Sequence, residues 1–179
     1  MNSNPPSTRH MLSILVEDRY GELARIVGLF SGRGYNIDSL AVNQSLEPGM
    51  SRVVLTTRGE PHVVEQILKQ VNKLVRVHKV RHLVGDGHLE RELCVATVRA
   101  ANAKAREELE RVLKLTGARI LAFSATAFTV EATGTSGDIN QFLELLRPLG
   151  VRDMVRSAPI ALSRAGAETE AVPAESAAQ

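Results

Sequence analysis

A chain of 179 residues fits one ordinary domain or two small ones, and either can bury a usable core. Its composition, 44% hydrophobic and 23% charged, is globular, and no apolar run approaches the ~20 residues of a membrane helix, so no membrane partner is expected. The net charge of +2 is weak, aromatics make up 3% and tryptophan is absent, so a single-strand RNA reader's base-stacking rings are missing and nucleic acid is not expected either.

The opening MNSNPPSTRH lacks the basic and apolar sections of a signal peptide, and one cysteine, Cys94, allows no internal disulfide framework; a reducing cytoplasm is the expected compartment. HMLSILVE (10–17) alternates Leu12, Ile14 and Val16, the pattern of a half-buried strand. Leu23, Ile26, Val27 and Phe30 then recur at i, i+3, i+4, i+7, one face of a helix. NIDSLAVNQSL (36–46) and MSRVVLTTR (50–58), joined around LEPGM, read as a hairpin. Val64, Ile67, Leu68 and Val71 repeat the helical spacing, and VRVHKVRHLV (75–84) closes as a strand, with a modest basic cluster at 76–82.

GDGH (85–88) marks a break, and 85–90 reads as a linker. RELCVATVRA (91–100) is a strand, Ala105, Leu109, Val112 and Leu113 form a helical stripe, and RILAFS (119–124) with AFTVEAT (127–133) makes a second hairpin. Ile139, Phe142, Leu143 and Leu146 give another helix face before the last strand, GVRDMVRS (150–157). The expected fold is therefore α+β: two successive βαββαβ, ferredoxin-like domains at 9–84 and 91–163, each an antiparallel sheet with helices on one face. Residues 164–179 hold almost no large apolar side chain and are expected to be disordered. Consecutive apolar residues at Leu40-Ala41-Val42 and Val53-Val54-Leu55 predict a second apolar face on the first sheet, to be covered by self-association.

The glycines of EDRYGELARIVGLFSGRGYNIDSL (17–40) do not make a nucleotide cradle. A dinucleotide fingerprint needs its glycines between strand and helix, whereas Gly28, Gly32 and Gly34 fall inside and at the end of the helix. Gly34 reads as a left-handed helix C-terminus with Arg33 in the last turn, and Gly28 as an allowance for close helix packing. Gly21 lies at the helix start, where bare backbone and free N–H groups can receive an anion. The competing reading, stronger on spacing alone, makes Asp18 the N-cap with Glu22 in the first turn. Asn36 opens the second strand and offers donors and an acceptor to an amino acid zwitterion, or is simply a turn residue.

Catalytic and metal constellations are not expected. On a strand, His78 and His82 stand about 13 Å apart, too far for one metal. Ser31, Ser39 and Ser51 lack a nucleophile elbow, and Cys94 sits in an apolar strand that packs it away.

LSILVEDRYGELARIVGLFSGRGYNIDSLAV (12–42), with SRVVLTT (51–57), VVEQILKQVNKLVRVHKV (63–80), ERELCVATVRA (90–100) and VEATGTSGDINQFLELLRPLGV (130–151), closely resembles the regulatory small subunits of acetolactate synthase. The resemblance implies an N-terminal ACT domain, an ACT-like C-terminal domain and no catalytic site in this chain. It implies pairing of ACT domains into a homodimer, and a large catalytic partner subunit that carries thiamine diphosphate, magnesium and FAD. It further implies activation of that subunit and feedback by valine or another branched-chain amino acid, lying between the helix start of one chain and a strand of its neighbour. Carried onto this sequence, the effector site is Asp18, Gly21 and Asn36, with Leu23 and Ile37 close by. The chain departs from the family at Asp18, which is Asn in some relatives, and at Tyr20, where a small residue or proline is usual. A free-standing amino acid sensor serving another protein is the alternative, but it has no need of the second βαββαβ half.

Overall fold

The computed structural model describes residues 8–165 and 171–172. They divide into two compact units, one running up to Leu89 and resuming at Ala161, the other spanning Glu90–Ile160. Each is a βαββαβ unit with its helices against one face of an antiparallel sheet, the α+β arrangement expected from the sequence.

In the first unit the order is β1 (Thr8–Glu17), α1 (Glu22–Gly32), β2 (Ile37–Gln44), β3 (Met50–Gly59), α2 (Pro61–Asn72) and β4 (Val77–Leu83). The strands lie in the order β4-β1-β3-β2, all antiparallel neighbours. The predicted stripes of β1 and α2 form the core with half of that of α1: Leu12, Ile14 and Val16 of β1 pack with Ile26 and Phe30 of α1 and with Val64, Ile67, Leu68 and Val71 of α2, while Leu23 is exposed and Val27 lies outside the cluster. Each such side chain taken from water contributes about 1.5–3 kcal/mol, which offsets the cost of ordering two short helices.

Two helix ends test the reading of the glycines. At the C-terminus of α1, Gly34 has φ 72°, its N–H reaches Ser31 O at 3.1 Å, and the Tyr35 N–H reaches Phe30 O at 3.0 Å. These are the two bonds of a Schellman motif, with Gly34 in the predicted left-handed position. The N-terminus differs from expectation. Asp18 does not cap the helix: its N–H donates to Gly49 O at 2.8 Å, and the cap is Gly21, at φ 86° and ψ −10°. Arg19 to Glu22 form a type II turn closed by Glu22 N–H to Arg19 O at 3.3 Å, and that turn requires a positive φ at its third residue. Gly28 needs no close packing within the chain, since a Cβ there would meet nothing within 4 Å.

The second face of the first sheet is not a bare apolar patch. After the second unit the chain returns as β9 (Ile160–Ser163), and Ala161 packs with Met11, Val54 and Leu83 on that face. The expected disorder of 164–179 falls largely outside the described residues. It is corrected at one point, because Ala171–Val172 (β10) pairs with Arg81 and Val80 of β4.

The second unit repeats the order with β5 (His88–Arg99), α3 (Ala103–Thr116), β6 (Arg119–Phe123), β7 (Ala127–Gly134), α4 (Ser136–Leu146) and β8 (Val151–Arg156), as a sheet β6-β7-β5-β8. Its core gathers Cys94, Ala96 and Val98 with Leu109, Val112, Ile139, Phe142 and Leu146. Cys94 is packed as predicted, and burial raises its thiol pKa against the opposing pull of Arg156. Buried Glu92 accepts from Arg156 Nε and from Ser136 Oγ, tying β5, β8 and the start of α4 together. Asn102 caps α3 through Ala105 N–H at 2.8 Å. Thr135 and Asp138 form a capping box on α4, with Thr135 N–H to Asp138 Oδ2 at 2.8 Å and Asp138 N–H to Thr135 Oγ1 at 3.2 Å.

The N–H and hydroxyl of Thr135 hold the Asp138 carboxyl below the ordinary carboxylate range. A depressed folded pKa stabilises the fold above the unfolded value, and the gain is lost as pH falls through the folded one. Asp138→Asn is therefore expected to lower the urea midpoint at pH 7, with the gap from the parent closing below about pH 4. The two α1 glycines should respond with opposite signs in the same assay. Gly28→Ala is expected to stabilise by about 0.5–1 kcal/mol and Gly21→Ala to destabilise by roughly 1–2 kcal/mol.

Candidate functional site

The turn from β1 into α1 leaves a helix start without a side-chain cap. Apart from Glu22, whose N–H closes on Arg19 O, the N–H groups of its first turn have no intrahelical acceptor, so they point their partial positive charge out past Gly21. Nothing lies within 4 Å of where a Gly21 Cβ would stand, so the space over this turn is open. Asp18 is exposed beside it and Leu23 is 39% exposed on the first helical turn. Tyr20 projects fully into solvent.

Beneath the turn lies an ion network that sequence reasoning missed. The Glu22 carboxylate, only 4% exposed, accepts from Arg76 Nη1 at 2.9 Å and faces Arg25 Nη1 at 3.2 Å. Glu17 lies near Arg19 Nε at 3.5 Å, His78 Nε2 at 3.5 Å and Arg76 Nε at 3.8 Å. Glu22 is the buried member and Arg76 is partly exposed, so loss of Arg76 would leave a buried carboxylate uncompensated, and the contact ties the start of α1 to the residue before β4. Glu22 reads in sequence as an acid suiting the helix dipole, and nothing local points to a cation 54 residues on. An open groove adjoins the turn, between residues 17–20, residues 48–50 and His78. Of the five predicted site residues, it includes Asp18 alone.

Asn36 and Ile37 occupy a different position. Asn36 is exposed just before β2; its Nδ2 donates to Asp38 Oδ1 at 2.9 Å, and its carbonyl accepts from Thr57 Oγ1 at 2.6 Å. Asp38 is in turn held by Arg58 Nε at 2.9 Å. Ile37 is half-buried against the first core and pairs with Thr57, which pairs with His10 at the start of β1. Glu17, at the other end of β1, pairs with Met50. Asp18, Gly21 and Leu23 therefore lie together at one end of the sheet, and Asn36 and Ile37 at the other. The seven residue-to-residue steps from His10 to Glu17 span about 23 Å.

The His82 ring lies against His10, with Nε2 3.1 Å from Nδ1, and not toward His78. Among the described residues no group of three or more His, Cys, Asp or Glu is placed to hold a metal. No helix among them is long and apolar enough to cross a membrane.

Two family descriptions match in succession: an AHAS small subunit-like ACT domain over residues 12–79, and the small subunit of acetolactate synthase over residues 91–165. The chain is 43% identical over 155 residues to the probable acetolactate synthase small subunit of Methanothermobacter thermautotrophicus, covering 87% of this chain and 92% of that one. It is 38% identical over 157 residues to the acetolactate synthase isozyme 3 small subunit of Escherichia coli, covering 87% and 96%. Among solved structures, the acetolactate synthase small subunit from Thermotoga maritima superposes with a TM-score of 0.79 at 31% identity, covering 88% of this chain and 98% of that one. Relatives this similar along nearly their whole length, on the same pair of units, mean that the chain belongs to the acetolactate synthase small-subunit family, with an ACT domain as its first unit.

Proposed function

We propose that this chain is the non-catalytic, regulatory partner of a large acetolactate synthase subunit in the cytoplasm, raising its activity and making it sensitive to valine or another branched-chain amino acid. In this reading the large subunit carries thiamine diphosphate, magnesium and FAD, and this chain carries none of them. Support comes from the matches that run through both units of the chain.

The observation that carries the effector site is strand order. Strands β1 and β2 run parallel with β3 between them, so the two groups of site residues are a sheet length apart within one copy. A free amino acid cannot bridge about 23 Å. A second copy removes the difficulty. β2 ends the sheet, and Val42 on it is 43% exposed. Pairing β2 antiparallel with β2 of a second copy brings the Ile37 end of one sheet to the Gln44 end of the other, where Asp18 and Gly21 lie. The ligand carboxylate then meets the uncapped N–H groups past Gly21. Asn36 Oδ1 of the other copy and Asp18 face the ammonium, and Leu23 with Ile37 receive the branched side chain. Each dimer holds this site twice.

The test is acetolactate formation by the purified large subunit, with and without this chain, across a valine titration. Stimulation followed by inhibition is the expected result, and Gly21→Asp should keep the first while losing the second. An aspartate there adds strain at φ 86° and a negative charge facing the carboxylate. Normal valine inhibition in Gly21→Asp would overturn the site. Absence of stimulation at any ratio would overturn the regulatory role and favour a free-standing sensor.

A further inference from the structure

The basic run RVHKVRH (76–82) is only partly absorbed by the effector end of the sheet. Arg76 and His78 face the Glu17 and Glu22 carboxylates. Lys79 and Arg81 instead share the helix-free face of β4 with Arg52 of β3. Register sets them around β1: Leu15 pairs with Arg52 on one side and Lys79 on the other, and Ser13 pairs with Arg81. These five residues and Glu47 line one cavity of about 100 Å³.

Three properties separate this cluster from an ordinary solvated face. All three cations are half-buried, and among the described residues none has a carboxylate partner; Arg52 and Arg81 reach only Ser13 Oγ and Ser163 Oγ, each at 3.4 Å. Elsewhere in the same unit Arg19, Arg25, Arg58 and Arg76 all find acids. Second, Arg81 Nε is buried with no hydrogen-bond partner, a donor that a native structure rarely leaves idle. Third, Leu15 lines the cavity between Arg52 and Lys79, and an apolar wall there strengthens attraction for an anion.

We infer that this cavity binds a phosphate group. The guanidinium of Arg81 offers the idle Nε–H and a planar fork, Lys79 a point charge, Arg52 a second fork, and Ser13 a hydroxyl whose oxygen already accepts from Arg52 and whose proton is free to be donated. With Glu47 on the rim the lining carries a net +2, from three cations and one carboxylate, which matches a dianionic oxyanion. The volume suits one such group. The source is either free phosphate or a phosphate monoester, and the chemistry recognised is the same. This site shares no residue with the proposed effector site.

The full chain is titrated with inorganic phosphate and, separately, with glycerol 3-phosphate, at constant ionic strength made up with sodium chloride, by calorimetry and by thermal midpoint. Saturable binding of at least one is expected, weakened tenfold or more in Lys79→Gln and in Arg81→Gln. Arg119→Gln, an equal loss of charge in the second unit where Arg119 already holds Glu131, should stay within twofold. Tighter binding of the ester identifies a phosphorylated metabolite as the source, and binding of phosphate alone identifies the free ion. In the parent chain, which needs no variant to fold, phosphate should protect Lys79 from acetylation. No response beyond that to chloride, equal affinity in every variant, an unprotected Lys79, or binding only of an oligonucleotide overturns the inference.

Discussion

A four-stranded sheet with helices on one side has a second face to account for, and much of the first unit is organised by that constraint. The helix side is a closed apolar core from Leu12 to Val80. The other side is divided. One part is apolar, where Met11, Val54 and Leu83 take Ala161 of β9 as a cover. The other part is polar, where Ser13, Arg52, Lys79 and Arg81 surround Leu15. The chain thus uses its own late segment to cover what would otherwise be a sticky patch, and sets its cations beside that cover, where Ser163 reaches Arg81. What stays open is the β2 edge and the two ends of the sheet, and these carry the residues that the resemblance nominates for effector binding.

Much of this was legible because amphipathic periodicity is a local property. Phe30 and Ile26 bury because they share a helix face, and Leu12, Ile14 and Val16 because they share a strand face; neither statement needs the rest of the molecule. Gly34 was legible for the same reason, since a Schellman end is closed by bonds between neighbours. The helix start was not. Asp18 has the side chain of a cap, but the chain turns through a type II bend at Tyr20 and Gly21 before the helix begins, and Asp18 gives its N–H to Gly49. Capping preference yields there to the geometry of leaving a strand.

Long-range electrostatics were opaque for a plainer reason. The Glu22–Arg76 contact joins residues 54 apart, and the Glu92–Arg156 contact residues 64 apart. Neither partner carries a local mark that distinguishes it from a solvated charge. The late strands were missed because four residues in β9 and two in β10 are too few to show a period. For the effector site, the sequence named residues and the fold supplied their separation. Asn36 and Gly21 lie 15 positions apart in the chain, as if they were neighbours, yet strand order sends them to opposite ends.

In the proposed effector site, that separation would tie ligand chemistry to assembly. If the amino acid touches residues of two copies, its occupancy and the association of those copies are one equilibrium, so each strengthens the other by the same factor. A dilute chain would then hold its effector less tightly than a concentrated one, with no residue changed. In the proposed site, the apparent sensitivity to the amino acid would depend on how much of the protein the cell makes as well as on how its pocket is shaped.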